Sequence, residues 1–571
     1  MRPNDTGLRS HAPGAPAAAL AAETVCEAFQ ITASSQPPSA PALRAFGADR
    51  AVTWGGYAQR VRAIAGGLHE IGMRSGDTLA TMLVNRPEFN LVDTATMHLG
   101  VASFSIYNTL PTEQIAYQLE NSGARVVVTE PQFLDRVLAA RAPSVRAVVL
   151  VEGAHEDAIT LAGLEAAEPA DFDFDATWRG VRSDDILALI YTSGTTGPPK
   201  GVELTHANVQ ATSRGFASRV PPTVGGRVLS FLPAAHVAER FTTHYLPSIG
   251  LGATITTIAS LADLPLALRE VRPTVLMAVA RVLEKLRAGL GTAGITDPAT
   301  LDDASRQRAL AIIGFDELQW IATGGGPISP DLVRFFTDLG ITTFEVWGMS
   351  ETTGIACTPP WTDIRVGTAG PALPDAELAL ADDGELLVRG PQVMRGYRND
   401  PERTAEAFDA DGWLRTGDIA TIDGDGYVKI IDRKKEIIIN SAGKNMSPAN
   451  IEHHLKAASP LIGQAVCIGD GRLYNVALLV LDPDVAGKWA AERGRDAALP
   501  SLADDDELIR TIAAAVEAAN AHLARVEQIK KFEVLPEEWL PAGDELTPTS
   551  KLKRRAISEK YAAVIERLYA S

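Results

Sequence analysis

Residues 186–208 decide the fold, and they read ILALIYTSGTTGPPKGVELTHAN. The apolar run 186–191 is typical of a buried strand. Small hydroxyl residues and glycines follow at once and end in Lys200, and such residues let backbone N–H groups and hydroxyls converge on an anion. Thr205 is expected to cap the next helix. The pattern therefore predicts a phosphate-binding loop that directly follows a buried strand.

This loop differs from the Walker phosphate loop in the spacing from Gly194 to its lysine, and no Ser or Thr follows Lys200 directly. A flexible Gly/Ser surface loop is the alternative, but a solvated linker has no need for such a cluster after a buried strand. Lys200 would add a point charge to the bound phosphate. The residues predicted to hold the phosphates are Thr192, Ser193, Gly194, Thr195, Thr196 and Gly197.

Composition excludes several classes of protein. The chain has 571 residues, of which 46% are hydrophobic and 22% charged, which excludes general disorder and a coiled coil. The net charge is 53 − 71 = −18, which argues against a nucleic-acid partner and requires local Lys and Arg clusters for any anionic ligand. Three scattered cysteines favour a reducing, cytoplasmic setting over a disulfide framework or a zinc site. No run approaches about 18 apolar residues, so no transmembrane helix is expected.

The order of patterns predicts two domains of unequal size. Residues 1–23 are predicted to be a flexible leader. Residues 24–431 alternate between helical and strand patterns, with a helix over 57–71 and strands over 78–83, 126–129 and 147–151. This alternation predicts an α/β class with parallel sheets in a large N-terminal domain of several lobes. Residues 432–571 predict a small, mobile α+β domain with a hinge near 432–435, a helix over 508–529 and a strand over 532–535.

The segment YTSGTTGPPKG (191–201) resembles the signature loop of the acyl-adenylate-forming enzymes, which include acyl-CoA synthetases, luciferases and peptide-synthetase adenylation domains. The resemblance extends from about Thr24 to the C-terminus. The segment LPAAHVAER (232–240) and residues 272–285 are similar to long-chain fatty acyl-CoA synthetases. In that branch, His236 would lie beside the acyl carboxylate and the phosphates.

The resemblance also assigns the nucleotide site. Gly324, Gly325 and Gly326 match the adenine platform, although a plain strand-to-helix turn explains the bare pattern equally well. In the segment EVWGMSETTG (345–354), Trp347 replaces the usual Tyr as the aromatic face for adenine. The other matching residues are Gly348, Ser350 for the α-phosphate, Glu351 with Thr195 for Mg²⁺, and Asp418 for the ribose hydroxyls.

Four positions of the C-terminal segment match functional positions of the family. Arg433 matches a ribose- or phosphate-contacting arginine, and Lys435 matches the residue about which the small domain swivels. Gly443 lies in NSAGKNMSP (440–448), which resembles the loop that enters the site for thioester formation. Lys551 matches the catalytic lysine. The following Lys553, Arg554 and Arg555 would form a basic surface.

The function implied is ATP-dependent activation of a fatty acid, with long-chain acids favoured, through an acyl-adenylate to acyl-CoA. ATP, Mg²⁺ and CoA are the implied cofactors and cosubstrates. A fatty acyl-AMP ligase, or a carboxylate-adenylating enzyme with another acceptor, is the alternative within the family. A non-catalytic nucleotide-binding protein is the alternative from another class. Peripheral membrane association is compatible with a fatty-acid substrate, and the pattern predicts no particular acyl chain length or oligomeric state.

Overall fold

The computed structural model describes residues 15–192, 198–326, 328–540, 543–547 and 551–570. Its strands in chain order are β1 (Pro41–Ala45), β2 (Val52–Thr53), β3 (Thr78–Met82), β4 (Ala102–Ser105), β5 (Val126–Thr129), β6 (Ala147–Leu150), β7 (Ile159–Thr160), β8 (Ile186–Thr192), β9 (Lys200–Thr205), β10 (Arg227–Ser230), β11 (Thr254–Thr257), β12 (Val275–Ala278), β13 (Trp320–Thr323), β14 (Thr342–Glu345), β15 (Glu377–Leu380), β16 (Glu385–Arg389), β17 (Gly396–Tyr397), β18 (Leu414–Ile422), β19 (Val428–Arg433), β20 (Ile438–Ile439), β21 (Asn445–Met446), β22 (Ile462–Ile468), β23 (Asn475–Leu481) and β24 (Ile529–Leu535).

The helices of the same described segments alternate with these strands. In chain order they are α1 (Ala15–Ala21), α2 (Val25–Ser35), α3 (Trp54–Glu70), α4 (Pro87–His98), α5 (Thr112–Ser122), α6 (Pro131–Ala139), α7 (Leu161–Ala166), α8 (Phe174–Arg179), α9 (His206–Arg219), α10 (Val237–Glu239), α11 (Leu264–Val271), α12 (Ala280–Thr292), α13 (Asp303–Ile313), α14 (Pro330–Asp338), α15 (Pro401–Ala407), α16 (Pro448–Ala458), α17 (Pro483–Arg493), α18 (Leu499–Ala503), α19 (Asp506–Asn520), α20 (Arg554–Lys560) and α21 (Ala562–Ala570). A π-helical segment, Arg240–Gly250, continues directly from α10.

The largest sheet has eight strands in the order β17-β9-β8-β4-β3-β5-β6-β7. Strands β3 to β8 run parallel to their neighbours, whereas β9 returns antiparallel to β8 and then pairs with β17. The predicted strands at 78–83, 126–129, 147–151 and 186–191 are confirmed as β3, β5, β6 and β8, and the predicted helix at 57–71 as α3. The α/β class predicted from alternation is therefore confirmed, because these strands are buried and connected by helices.

Three smaller sheets contain the remaining strands up to Arg433. In the sheet of order β10-β11-β1-β2, the first three strands are parallel and β2 is antiparallel to β1. The sheet β12-β13-β14 is parallel throughout. The sheet β15-β16-β18-β19 is antiparallel. Strand β19 continues through Asp432 and Arg433, so the predicted domain boundary at 431/432 falls inside a strand that is paired with β18.

The C-terminal part forms its own sheets and its own core. Strands β22, β23 and β24 make a three-stranded sheet, and β20 pairs with β21. Helices α16 and α19 pack on one apolar cluster, and the segment from Leu546 to Leu568 packs on another. The described residues after Arg433 thus form a small α+β unit beside a larger α/β part, as the sequence predicts.

The helix predicted over 508–529 is shorter than expected. Helix α19 begins at Asp506 and ends at Asn520, and Ile529 already belongs to β24. The Asn520 side chain explains the end of the helix. Its Oδ1 accepts from Ile529 N at 2.8 Å, and its Nδ2 donates to Ile529 O at 2.9 Å. Because the Asn520 side chain binds both the backbone N–H and the backbone C=O of Ile529, it turns the chain back toward the sheet.

The flexible leader predicted over 1–23 is wrong for its last part. Residues 15–21 form α1, and Ala19 is fully buried. Gln210 of α9 donates through Nε2 to the carbonyl oxygens of Ala19 at 3.0 Å and Ala22 at 2.8 Å. These two bonds satisfy carbonyl groups at and just after the end of the helix, where the other bond to Ala19 O, from Ala22 N, is 3.4 Å long. Residues 1–14 lie outside the described residues.

Candidate active site

The hairpin β8–β9 carries the predicted phosphate loop. Thr192 and Lys200 are partners across this hairpin, so the loop between them is closed by the sheet. Thr205 caps α9 as predicted. Its Oγ1 accepts from Asn208 N at 3.1 Å, and Asn208 Oδ1 accepts from Thr205 N at 2.8 Å, which is a complete capping box. The predicted ligands that lie outside the described residues are Ser193, Gly194, Thr195, Thr196 and Gly197, and their roles stay predictions.

Lys200 and Glu351 meet at a residue that the sequence analysis missed. Tyr397 of β17 donates a hydrogen bond of 2.9 Å to Glu351 Oε1. Lys200 Nζ lies 3.5 Å from the Tyr397 hydroxyl and 4.5 Å from the centre of its ring. Burial, followed by the charge of Glu351, raises the pKa of Tyr397 above its usual range, so the hydroxyl stays a donor. The only signal in the sequence is an aromatic residue after Gly396 in a polar stretch.

Glu351 lies in a short 3₁₀ turn, Ser350–Thr352, and is buried. A cluster of three or more His, Cys, Asp or Glu side chains that would cage a metal does not occur in the described part of the chain. Mg²⁺ is commonly bound by one or two carboxylates together with waters and substrate phosphates. A single buried carboxylate beside Lys200 and the end of the phosphate loop therefore fits a magnesium ion held largely by substrate.

Asp418 is held by two side chains from different directions. Trp347 Nε1 donates to its Oδ2 at 2.9 Å, and Arg433 Nη1 donates to its Oδ1 at 2.8 Å. Asp418 and Arg433 are also register partners in β18 and β19. Each carboxylate oxygen can accept a further hydrogen bond, so this buried acid still fits the two hydroxyls of a ribose. The structure brings Trp347, Asp418 and Arg433 together, whereas their roles toward adenine, ribose and phosphate stay predictions.

The glycines of the predicted adenine platform lie at the end of β13. A Cβ atom on Gly324 would lie 2.8 Å from Val346 O, and one on Gly348 would lie 2.4 Å from Gly354 O. Gly325 has φ +81°, a conformation that favours glycine. Gly326 is exposed, with no atom within 4 Å of a Cβ built on it. The backbone that leads to Trp347 is thus packed directly against the platform, and the platform itself presents a bare surface.

His236 caps α10, where its Nδ1 accepts from Ala238 N at 3.1 Å. Burial and the positive charge of Lys551 lower the pKa of His236 to about 4, so it is neutral at pH 7. Two residues hold its loop in place. Glu239 Oε2 accepts from Leu232 N at 3.1 Å, and Arg240 Nε donates to Ala234 O at 3.0 Å.

Arg240 is itself fully buried, and its charge is compensated inside the protein. Its Nη1 donates to Asp93 Oδ1 at 2.6 Å and to the Tyr245 hydroxyl at 3.0 Å. A buried guanidinium is tolerated when it is paired and hydrogen-bonded in this way. The loop of His236 is therefore anchored to α4 through an internal ion pair.

Lys551 of the C-terminal part reaches the same region. Its side chain keeps contact with solvent, but desolvation and then the charge of Arg433 lower its pKa. Asp418 and Glu351 act on it in the opposite direction. Lys551 therefore lies within electrostatic range of Glu351, Asp418, Arg433 and His236, which belong to four separate segments. Ser350 lies beside Glu351 in the same 3₁₀ turn.

Two predicted residues lie outside this group. Gly443 has φ +73° and lies in an exposed turn in which its N–H donates to Asn440 O at 2.9 Å. This turn is bonded to a separate segment, because the carbonyl oxygen of Arg472 accepts a hydrogen bond from Ser441 N. Lys435 is exposed just after β19. The structure does not bring Gly443 or Lys435 into hydrogen-bond contact with the site residues described above.

The basic surface predicted after Lys551 is wrong in its main part. Arg554 donates to Glu452 at 2.5 and 2.7 Å and to Glu436 at 3.0 Å. Lys553 Nζ donates to Gly543 O at 2.8 Å, and Arg555 pairs with Glu559. Arg554 is thus neutralised inside the small domain by Glu436 and Glu452, whereas Arg555 stays exposed on the surface beside Glu559.

An apolar pocket lies between α9, the π-helical segment and β10 to β13. It encloses about 520 Å³ including its opening to solvent. Its lining residues include Phe216, Ala217, Val220, Val228, Phe241, Leu246, Pro247, Leu251, Ala253, Val275, Met277, Trp320 and Ile355. Three of the lining residues lead directly into site motifs. Phe241 follows the His236 loop, Trp320 begins the strand that ends at the glycines, and Ile355 follows the Glu351 segment.

Comparisons with known proteins agree with this architecture. The family model described as AMP-binding enzyme matches residues 29–398, and the model of the AMP-binding enzyme C-terminal domain matches residues 435–571. FadD11 of Mycobacterium tuberculosis is 47% identical over 450 residues, which are 72% of this chain and 79% of that protein. The long-chain-fatty-acid–CoA ligase FadD15 of Mycobacterium bovis is 34% identical over 91% of this chain and 92% of its own length.

Solved structures share the fold. The adenylation domain of a carboxylate reductase from Mycobacterium chelonae has a TM-score of 0.77 and 23% identity, covering 98% of this chain and 93% of that one. The anthranilate CoA ligase AuaEII in complex with anthranoyl-AMP has a TM-score of 0.76 and 20% identity, covering 95% and 98%. Such low identity supports the fold alone. Together with the family matches, which span most of its length, these findings place this chain in the family of AMP-binding enzymes.

Proposed function

We propose that this chain activates fatty acids, with long-chain acids favoured, by forming an acyl-adenylate from ATP and passing the acyl group to CoA. AMP and pyrophosphate are the other products. The observation that carries the proposal is the apolar pocket whose walls continue into the segments of His236, Gly324 and Glu351. An alkyl chain in that pocket is desolvated by Phe, Val, Leu and Trp side chains, which gains about 0.8 kcal/mol for each buried CH₂ group. The long-chain ligase name of a relative with 34% identity supports the same substrate class.

The first step joins two anions. A carboxylate oxygen attacks the α-phosphorus of ATP, and the bond to the bridging oxygen of pyrophosphate breaks. The electrostatic attraction between a cation and an anion 4 Å apart is about 4 kcal/mol at an effective dielectric near 20, and it offsets the repulsion between the two anions. Lys200 and Lys551 would supply such cations, and Asp418 would orient the ribose. Mg²⁺, held by Glu351 and by Thr195 of the phosphate loop, would neutralise phosphate charge.

The second step transfers the acyl group to the thiol of CoA. The thiolate sulfur attacks the acyl carbon, and AMP leaves with the carboxyl oxygen. We propose that Lys551 leaves the site for this step and that the turn of Gly443 enters it, by rotation of the predicted small domain, residues 432–571, about Lys435, with Asp432 and Arg433 staying paired with β18. The exposed turn of Gly443 and the position of Lys435 directly after β19 support this proposal. Residues 24–431 would then form the large domain.

We propose a cytoplasmic location with peripheral association at the membrane that supplies the acid. The helices of the described segments include none that is both long and apolar enough to cross a bilayer. The three cysteines are buried and unpaired, which suits a reducing compartment. Leu261, in the turn before α11, and Leu266, in α11, are 62% and 60% exposed, and they are the feature that supports contact with lipid.

The test uses the full chain with ATP and Mg²⁺ and a panel of acids from acetate to long-chain fatty acids. Exchange of labelled pyrophosphate into ATP reports the first step, and CoA-dependent AMP formation reports the whole reaction. We expect both, with the greatest rates for long-chain acids. Exchange without CoA-dependent AMP would favour an acyl-AMP ligase or another acceptor. Nucleotide binding without any exchange would favour the non-catalytic alternative.

A further inference from the structure

Helix α12 of the large part contacts the small domain through one ion pair. Arg281 Nη2 donates to Asp482 Oδ2, and the two residues are 201 positions apart in the chain. The Asp482 side chain is 9% exposed, whereas that of Arg281 is 47% exposed. The pair therefore lies at the edge of the contact between the two parts, with its acidic member mostly buried.

The carboxylate of Asp482 is fixed by its own helix. It caps α17, and its Oδ1 accepts from Asp484 N and Val485 N, each at 3.2 Å. The other oxygen is thereby directed at Arg281. The guanidinium of Arg281 is also held from its own side, because Glu284 Oε2 lies 3.6 Å from Nη1. Both partners are preorganised, which reduces the entropy lost when the pair forms.

The elements that border Asp482 and Lys551 pack into one apolar cluster. Asp482 directly follows β23, whose buried side chains Val476, Leu478 and Val480 pack against the segment that contains Lys551, through Leu546 and Ile557. A dense apolar core transmits position from one element to the next. An ion pair that fixes Asp482 against α12 therefore also fixes where Lys551 stands.

We infer that the Arg281–Asp482 ion pair is a positioning contact that selects the orientation in which Lys551 reaches the nucleotide. A rotation of the small domain carries Asp482 away from α12, so the pair exists in this orientation alone and must break before acyl transfer. The inference rests on the proposed two-step function. It makes Arg281 a residue whose loss slows adenylation and leaves thioester formation unimpaired.

The experiment compares the two half-reactions in variants of the full chain. Adenylation is measured by pyrophosphate exchange with palmitate, and thioester formation by CoA-dependent consumption of supplied palmitoyl-AMP. Arg281→Gln removes the charge, and Asp482→Asn removes the partner charge while an amide oxygen still caps α17. Arg281→Lys is the conservative variant. The control is Arg308→Gln, which removes an exposed arginine of α13 whose side chain donates to Ser305 within the same helix.

We expect Arg281→Gln and Asp482→Asn each to lower the adenylation rate about two- to fivefold, the effect of losing a partly exposed pair. Thioester formation stays at the wild-type rate or rises. The double variant is no slower than either single variant, Arg281→Lys restores part of the loss, and Arg308→Gln resembles wild type. Equal loss in both half-reactions, or no loss in adenylation, would overturn the inference.

A physical measurement separates this inference from the proposed function. Spin labels on cysteines introduced at Asp303 of α13 and Leu473 of the small domain, both strongly exposed, report the distance between the two parts. We expect one dominant distance in the wild type and a broader distribution in Arg281→Gln. An unchanged distribution contradicts the positioning role even if the wild type activates no acid. Absence of pyrophosphate exchange in the wild type would instead refute the proposed function.

Discussion

The hydroxyl of Tyr397 donates a hydrogen bond of 2.9 Å to Glu351 Oε1, and the ammonium of Lys200 lies 4.5 Å from the centre of the same phenol ring. One side chain thus holds the proposed magnesium ligand and also packs against the lysine that follows the phosphate loop. Cation–π attraction of this kind strengthens when the pair is desolvated. The two charges are kept near each other by a neutral residue that touches both.

Replacement of Tyr397 by Phe removes the hydrogen bond and keeps the ring. A hydrogen bond to a charged group is worth about 1.5–3 kcal/mol, so we expect adenylation to fall roughly 10- to 100-fold. The concentration of Mg²⁺ needed for half-maximal pyrophosphate exchange should rise, because Glu351 is less well oriented. Tyr427→Phe is the matched control, since Tyr427 is also buried and donates to a backbone carbonyl, that of Asp363. Equal Mg²⁺ dependence in the wild type and Tyr397→Phe would contradict this role.

Removal of the Lys551 ammonium by substitution with Ala should slow adenylation on the order of 100-fold, because a preorganised charge at the reacting phosphate is lost. Formation of the thioester from supplied acyl-adenylate should be spared. Arg555→Ala is the control, since Arg555 is exposed and pairs with Glu559 on the surface. If both half-reactions fall by the same factor, Lys551 does not act in the first step alone.

The loss of adenylation activity at high pH should reflect the deprotonation of Lys551. Desolvation and the charge of Arg433 lower its pKa below the ordinary value of 10.5. The protonated form is the active one, so activity is present at lower pH and is lost as the pH rises through this lowered pKa. We expect a single alkaline limb below pH 10.5 in the pyrophosphate-exchange rate. Lys551→Arg should shift that limb upward, because guanidinium stays protonated, and a limb that is unchanged in this variant must belong to another group.

The apolar pocket should set the acyl chain length. Ala217 is a small lining residue on α9, and Ala217→Phe would place a ring where the alkyl chain is proposed to lie. Each CH₂ group that no longer enters the pocket costs about 0.8 kcal/mol of binding. The ratio of kcat/KM for palmitate to that for octanoate should therefore fall by more than tenfold. Ala211→Phe on the same helix is a control at a position outside the lining, and an equal change in both ratios would contradict the assignment.

Folding stability should fall in acid because of a buried histidine to which the proposed mechanism gives no role. His206 is fully buried, its Nδ1 accepts from Val25 N at 3.1 Å, and burial lowers its pKa to about 3. A group whose pKa is lowered by folding contributes fully above its unfolded pKa of 6.5, and this stability is lost as the pH falls toward 3. Between pH 7 and pH 5 the loss is about 2 kcal/mol. His206→Asn keeps an acceptor for Val25 N, and its free energy of unfolding should decrease less over the same interval in denaturant titrations.

The sequence predicts the parts of the fold in which local pattern and tertiary packing agree. The strand at 186–191 and the helix after Thr205 follow from an apolar run and a capping residue, and both lie where predicted. The family resemblance also assigns Asp418 as an acid of the site. Its two partners, Trp347 and Arg433, come from motifs that the resemblance assigned separately. Only the structure shows that both side chains donate hydrogen bonds to Asp418.

Other features depend on contacts that no local pattern contains. Tyr397 becomes important because β17 pairs with β9 and brings the phenol to Lys200, which is a pairing between residues almost 200 positions apart. The end of α19 depends on the hydrogen bonds between Asn520 and Ile529. The sequence predicts that Arg554 belongs to a basic surface, whereas the structure places Glu436 and Glu452 beside it. Long-range pairing decides each of these outcomes.

The docking of α1 has a practical consequence for anyone who shortens or tags this enzyme. A version that starts at Thr24, where the leader was expected to end, would uncover the nearly inaccessible Gln210 amide and exchange its two hydrogen bonds for bonds to water. The net loss for each exchanged hydrogen bond is about 0.5–1.5 kcal/mol. The same helix also packs on the π-helical segment that lines the apolar pocket. Trimming the chain there would thus loosen, from its outer side, the pocket that we propose for the acyl chain.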